Sequence, residues 1–410
     1  MEKFRHFGDA ATGIHPFTFV IAPTAAGRIG SACVFPVRLL ASCVFVTLLF
    51  VTDTLLWMCH AVYLGLLGRL LLAPLQRAWL RCLLFFIGHI LPENPQIMAS
   101  STQQQGEASS SSRAVRAGDL VVCNLQSVWD ALVLEVMLAQ PYHTICFPDA
   151  NAVEGEGDVP RSEASAAPGL RVFWPGPTQR WRVWAYTRRT GSLAFLAAQQ
   201  SSSAEQQSLR KKTEARELLL HRVQEAAAHA GVPVWWFGEG TCSNGRGLLL
   251  MPAVTCMSAA SSNASGGCVV NFATIRYDSP ALQNVLGNDT EGFFAALFRT
   301  GVLLCGSTAP AWTSPLFPTA EVTYRSVRLT HATPSTLDSR PTTSMRYWTL
   351  SKPALLELRN AMCQRGQALV VSGSSAGVRR QPLSVGVQEK KGFVEAYRAM
   401  LDRTKARPSV

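Results

Sequence analysis

The sequence predicts an α/β sandwich with a mostly parallel sheet, preceded by an N-terminal apolar hairpin. Three observations lead there. From residue 118 onward, strand-like and helix-like segments alternate. Ahead of them lies LLASCVFVTLLFVTDTLLWMCHAVYLGLLG (39–68), a stretch far more apolar than most soluble folds carry. Two polar turns, at 123–130 and 238–246, each follow a strand, so they can share the carboxyl edge of one sheet.

The hairpin comes first. Spanning a bilayer takes about 20 apolar residues, so residues 39–68 could form one tilted span or a hairpin that dips in and returns. Asp53 falls near the middle, with His60 beyond it. A carboxylate is costly in hydrocarbon, which predicts a break at Asp53 and a shallow hairpin. Leu70 to Leu91 is apolar but carries Arg77 and Arg81 and follows Arg69, the pattern of a helix lying at the interface. A buried helical hairpin in a soluble protein is the alternative.

The domain follows. Leu120–Val122 reads as a strand, and Val128–Ala139 as a helix with Leu132, Val133, Val136 and Met137 on one face. Thr144–Phe147 is a short strand and Arg180–Ala198 a helix. Gln207–Ala230 is amphipathic, with Gly231 as its cap and Pro233 forbidding continuation. Val234–Phe237 and Cys268–Tyr277 are strands. Four segments (100–112, 150–169, 199–208, 258–267) are rich in small or polar residues and read as insertions. The expected division is 1–38 N-terminal segment, 39–91 hairpin and interfacial helix, 92–117 linker, 118–330 α/β domain, and 331–410 C-terminal extension with a closing helix.

Composition narrows the class. Charged residues are 16% of the chain against about 25% in average domains, yet the net charge is +11. Few charges with a positive balance suit an anionic membrane surface. Zinc-finger spacings and long basic runs are missing, which argues against nucleic acid. The 11 cysteines form no CxxC pair and several sit in apolar runs, which argues for reduced thiols facing the cytosol and against a zinc or disulfide scaffold. No metal and no cofactor is expected.

The turns carry the chemistry. "NLQSVWD" (124–130) crowds Asn124, Gln126, Ser127 and Asp130 around Leu125. Ser127 and Asn124 read as helix caps, and Asp130 as charge in the first turn of a helix or as a working carboxylate. "FGEGTCSNGR" (237–246) offers Gly240 for close backbone approach to an anion. Glu239, Thr241, Ser243 and Asn244 add polar groups, and Arg246 adds a forked cation for phosphate. A plain Gly-rich turn is the bland alternative.

Together the turns resemble those of the glycerolipid acyltransferases that make phosphatidic acid, whose turns are N-H-x-x-x-x-D and F-P-E-G-T. Asp130, Glu239, Gly240 and Thr241 match; Leu125 stands where the family has His, and Gly238 where it has Pro. The Pro of a third family element is also missing from "VVNFATIRY" (269–277). "SVWD", "EGTCSNGRG", "IRY" (275–277), the opening "MEKFRHFGDAATGIHPF" and the closing "SVGVQEKKGFVEAYRAM" are similar to a fungal subgroup of lysophosphatidic acid:oleoyl-CoA acyltransferases that also lacks the His. The likeness covers about two-thirds of the chain.

The resemblance implies an acyltransferase-like fold and a membrane enzyme that acylates lysophosphatidic acid with acyl-CoA as co-substrate. It implies an endoplasmic reticulum or lipid-droplet location, with the catalytic domain facing the cytosol. Asp130 and Ser127 would be catalytic, and Glu239, Gly240, Thr241, Ser243, Asn244 and Arg246 would bind substrate. In the family the His deprotonates the acceptor hydroxyl, which Leu125 cannot do. Three readings follow: an enzyme with a displaced base (Asp130, Glu239 or His143), a pseudoenzyme that binds acyl-CoA or lysolipid, and a structural membrane protein. If the turn is an active site, residue 125 should lie at its mouth near Asp130. Arg188 and Arg189 read as phosphate ligands or a solvated face, Trp181, Trp184, Trp235 and Trp236 as core or interface aromatics, and His221 and His229 as surface.

Overall fold

The computed structural model describes residues 7–12, 14–16, 25–62, 65–87, 96–97, 115–138, 142–148, 170–190, 218–240, 242, 247–259, 268–277, 320–335, 345–363, 381–385 and positions 393, 396 and 399. The four small-residue insertions lie almost wholly outside these residues, as do the far ends of the helices expected over 180–198 and 207–230 and most of the closing helix.

In chain order the elements are α1 (Ala25–Ala61), α2 (Gly65–Ile87), β1 (Gln96–Ile97), β2 (Leu120–Cys123), α3 (Asp130–Leu138), β3 (Thr144–Pro148), β4 (Leu170–Phe173) and α4 (Gln179–Thr190). Then come α5 (Leu220–His229), β5 (Val234–Phe237), β6 (Gly247–Leu248), β7 (Val254–Ala259), β8 (Cys268–Tyr277) and β9 (Ala320–Leu329). The last are β10 (Thr333–Pro334), β11 (Met345–Leu350), α6 (Lys352–Cys363) and β12 (Gln381–Pro382).

A seven-stranded sheet runs β1-β9-β8-β2-β5-β3-β4. Its centre is parallel, since β8, β2, β5 and β3 pair in one direction; β9 and β4 run against their inner neighbours. The strands are buried on both faces, which is why they read as short continuous apolar runs. Val121, Cys123, Ile145, Phe147, Trp235 and Phe237 point to one face and join a core with α3, α4 and the hairpin. Val122, Cys146, Val234, Trp236, Val270 and Phe272 point to the other, covered by α5, α6 and a three-stranded sheet, β10-β11-β7. Gly231 (φ 71°) ends α5 in the left-handed conformation, as a C-terminal cap should.

The C-terminal region is not an appendage. β11 pairs antiparallel with β7 from Met345↔Ala259 to Leu350↔Val254, and β12 pairs with β6. Trp348, Leu350, Leu355 and Leu358 enter the same core as the strands. The division expected at 330/331 therefore cuts through one packed unit. The extreme N-terminus also docks there: Asp9 Oδ1 accepts hydrogen bonds from the backbone N–H (2.9 Å) and the hydroxyl of Ser384.

The hairpin differs from expectation in one respect. α1 begins at Ala25 rather than near residue 39 and continues unbroken through Asp53 to Ala61. Contacts Cys59–Gly68, Asp53–Gln76 and Phe45–Phe86 show that α2 returns antiparallel along it. No break is needed at Asp53 because its carboxylate faces the domain. Gln76 Nε2 donates to Oδ1 (2.6 Å), and the Arg180 guanidinium of α4 donates to Oδ2. Arg180 also pairs with Glu135 of α3, through Nε (2.6 Å) and Nη2. Leu49, Leu80, Leu83, Leu84 and Ile87 are buried in the domain core. The opposite side of the hairpin is bare and apolar: Leu40 is 69% exposed, Leu70 65% and Trp57 52%, with Val37, Val44, Phe50, Val51, Leu55, Met58, Leu71 and Phe85 beside them. The stretches Ala32–Cys59 and Leu70–Ile87 are long and apolar enough to cross a membrane.

Candidate functional site

β2 and β5 are neighbours in parallel register, Cys123 opposite Phe237. The turns that leave them, 124–130 and 238–240, therefore emerge at the same edge of the sheet, where ligands collect in α/β folds.

The two turns are joined by a carboxylate. Glu239 is 1% exposed; its Oε2 accepts the backbone N–H of Leu125 and its Oε1 that of Leu249, each at 2.7 Å. Glu239 thus fixes the first turn against the second and against the strand beyond it. Gly240 (φ 65°) makes the sharp exit, and a Cβ there would lie 2.8 Å from Pro148 Cγ. Only glycine combines that conformation with that approach. Thr241, Ser243, Asn244 and Arg246, which follow, lie outside the described residues.

The first turn is held from β8. Asn124 Oδ1 accepts the N–H of Ile275 (2.7 Å) while its Nδ2 donates to the Ile275 carbonyl (3.1 Å), an imitation of strand pairing by a side chain. Gln126 Nε2 donates to the same carbonyl (2.9 Å); a carbonyl can only accept, so the amide orientation is set. Gln126 Oε1 then has no partner among the described residues, although the residue is 1% exposed.

Asp130 starts α3 at 0% exposure. Its Oδ2 accepts the backbone N–H groups of Gln126 (2.5 Å) and Ser127 (3.0 Å), and its Oδ1 accepts the Tyr277 hydroxyl. Ser127 lies against the same phenol and accepts the N–H of Trp129 at 3.4 Å. Burial first, and then the Asp130 charge, push the Tyr277 hydroxyl well above its ordinary value. The same two causes push up the Cys123 thiol, so it stays protonated and is no nucleophile.

The sequence-expected residues sort as follows. Asn124, Ser127, Asp130, Glu239 and Gly240 converge. Leu125 joins them in backbone only: its side chain is 1% exposed and sits in the apolar core shared with Leu84 and Ile87, not at a mouth. Placing it there reverses the expectation for residue 125, because the hairpin covers this side of the sheet. His143 does not reach the turns. It precedes β3, whose Thr144 pairs with Val234, so it lies at the amino edge of the strands, about 13 Å away along four residues of β5. There it stacks on Trp235 at 3.7 Å. His221 is buried rather than superficial, edge-on to Tyr347 at 5.3 Å, and burial lowers its pKa. His229 bonds the Glu225 carbonyl (2.7 Å) in exposed surroundings. Trp235 and Trp236 are core; Arg188 lies 5.0 Å from the Trp184 ring, and the Arg189 side chain is outside the described residues.

Two groups have no role assigned from the sequence. Tyr277 reads as a strand end and as part of "IRY" (275–277), and nothing local ties it to Asp130. Arg359 of α6 is 4% exposed and donates through Nη2 to the carbonyls of Leu248 (2.9 Å) and Leu383. It clamps β6, which follows the second turn, to β12. Burial lowers its pKa while the charge of Glu239 opposes the shift. Among the described residues no group of three His, Cys, Asp or Glu side chains could hold a metal ion, and the ten described cysteines are free thiols.

No family model matches this chain, and neither a curated protein nor a solved structure matches it.

Proposed function

We propose that the protein is a membrane-surface acyltransferase that transfers an acyl chain from acyl-CoA to lysophosphatidic acid. The observation that carries this reading is the Glu239 carboxylate, which locks an N-x-x-x-x-x-D turn and an E-G-T turn together at one sheet edge. That is the pairing of motifs the acyltransferase resemblance rests on. The lysolipid phosphate is assigned to the loop from Gly240 through Thr241, Ser243, Asn244 and Arg246. Acyl-CoA is the co-substrate.

The bare side of the hairpin supports a membrane location, with endoplasmic reticulum or lipid droplet as the proposed sites and the α/β domain facing the cytosol. A helix of 37 residues is about 55 Å long, more than a hydrocarbon core of about 30 Å. Its second half, Leu49 to Leu56, is occupied by the domain on one side. This favours insertion into one leaflet over a transverse span, because spanning would draw Arg180 and Glu135 into lipid.

A second reading, a catalytically impaired binder of acyl-CoA or lysolipid, is favoured by the state of the carboxylates. Both oxygens of Asp130 and both of Glu239 are already committed to N–H or O–H donors, so neither is poised as a general base. The deciding measurement is acyl transfer by purified full-length protein on lysophosphatidic acid vesicles with oleoyl-CoA. Turnover supports the enzyme; saturable binding without CoA release supports the binder; neither sinks both.

A further inference from the structure

We propose that Tyr277 takes the place of the missing imidazole as the partner of Asp130, and is the positioning residue that holds the 124–130 turn in its working shape. The inference rests on the acyltransferase reading for its catalytic meaning, while the pairing itself stands on geometry.

An Asp that begins a helix after a turn has two oxygens to satisfy when it is fully buried. Here Oδ2 is filled from within the turn by the N–H groups of Gln126 and Ser127. Leu125, which stands where the resembled family has His, offers Oδ1 no donor, and its side chain lies in the core. The oxygen is met instead by the Tyr277 hydroxyl at the end of β8. The same strand holds Asn124 and Gln126 through Ile275, two residues earlier. β8 therefore anchors the turn through Ile275 and Tyr277, and the phenol touches the charge. Asp130, Ser127 and the buried Cys242 bear on the phenol, and its hydroxyl is a donor to the carboxylate's second oxygen.

Two consequences follow. Asp130 is not a free base, because releasing Oδ1 to a substrate proton means breaking the Tyr277 bond. Replacing Leu125 by His cannot by itself rebuild a dyad, because the oxygen it needs is taken.

The test uses full-length protein in mixed micelles. Tyr277→Phe should lower kcat for transfer from oleoyl-CoA to lysophosphatidic acid roughly 10- to 100-fold, with KM for oleoyl-CoA little changed. Leu125→His alone should gain nothing, because the side chain at 125 lies in the core and Oδ1 is taken. Melting curves give a readout independent of turnover. Above about pH 10 the unfolded chain releases the Tyr277 proton while the folded chain keeps it, so stability falls with rising pH, and Tyr277→Phe should lose that part of the fall. If Tyr277→Phe does not fold, Asp130→Asn removes the charge facing the phenol and should shrink the same alkaline loss. A Tyr277→Phe variant that leaves both kcat and the alkaline limb unchanged overturns the proposal, as does a gain in turnover from Leu125→His. Absence of wild-type turnover with an alkaline limb that shrinks in Asp130→Asn would reject the acyltransferase reading and keep the pairing.

Discussion

Asp130 and Asp53 are both buried carboxylates, stabilised by different means. Asp130 is surrounded by neutral donors, two backbone N–H groups of its own turn and one phenol. Asp53 shares the Arg180 guanidinium with Glu135 and takes one amide from Gln76. Burial pulls Arg180 toward losing its proton, but Glu135 and Asp53 outweigh it and keep the guanidinium charged. The first arrangement is a turn that its own chain can nearly complete. The second is a joint between pieces, where a cation from α4 bridges the hairpin and α3. A neutral donor lost from a buried carboxylate costs about 1–3 kcal/mol, a paired cation about 3–5 kcal/mol. The hairpin joint should therefore break harder than the turn.

The strongest way to break the contrast is at Arg180. Arg180→Met leaves two buried carboxylates facing each other and should cost about 3–5 kcal/mol in denaturant unfolding. Replacing all three charges, Asp53→Leu and Glu135→Leu with Arg180→Met, should recover most of that loss. A single variant no worse than the triple would show that the joint contributes no pairing energy.

Next comes the docking of the termini. Burial raises the Asp9 carboxyl, but hydrogen bonds from Ser384 and Thr12 prevail and bring it down to about 2. A carboxyl lowered on folding stabilises above its unfolded value, and that contribution is lost as pH falls through about 2. Asp9→Ala should cost about 1 kcal/mol at neutral pH and less as pH approaches 2. A cost independent of pH over that window would assign the effect to packing.

Within the turn, Leu125→His should cost about 1–3 kcal/mol, since it puts a polar ring into the apolar core that Leu125 occupies at 1% exposure. Unchanged melting would return residue 125 to an open site. A smaller effect belongs to Gly240→Ala. A left-handed φ and a 2.8 Å contact with Pro148 predict about 1 kcal/mol or somewhat more, with acyl transfer falling more than stability if the loop cradles phosphate. A neutral Gly240→Ala would mean the turn relaxes freely and presents no fixed cradle.

Much of this was legible in the sequence. Short-range chemistry announced the strands Leu120–Val122, Val234–Phe237 and Cys268–Tyr277, the cap at Gly231, and two polar turns following strands. Period, propensity and turn residues act over a few positions, so their effects can be read a few positions at a time. The apolar hairpin was visible for the same reason, as an excess of uncharged residues in one run.

The tertiary structure decided what those segments meet. Asp53 reads as a helix break until Arg180, 127 residues on, is brought against it. Leu125 reads as a gap in an active site until the hairpin covers it. Tyr277 reads as an ordinary strand end until it reaches Asp130, 147 residues earlier. The boundary at 330/331 looked natural until β11 paired with β7. For Asp53 and Tyr277 the deciding term is the cost of burying a polar group alone; for Leu125 and the boundary it is apolar burial and strand pairing. Each depends on which distant segment arrives, and no local pattern encodes the arrival.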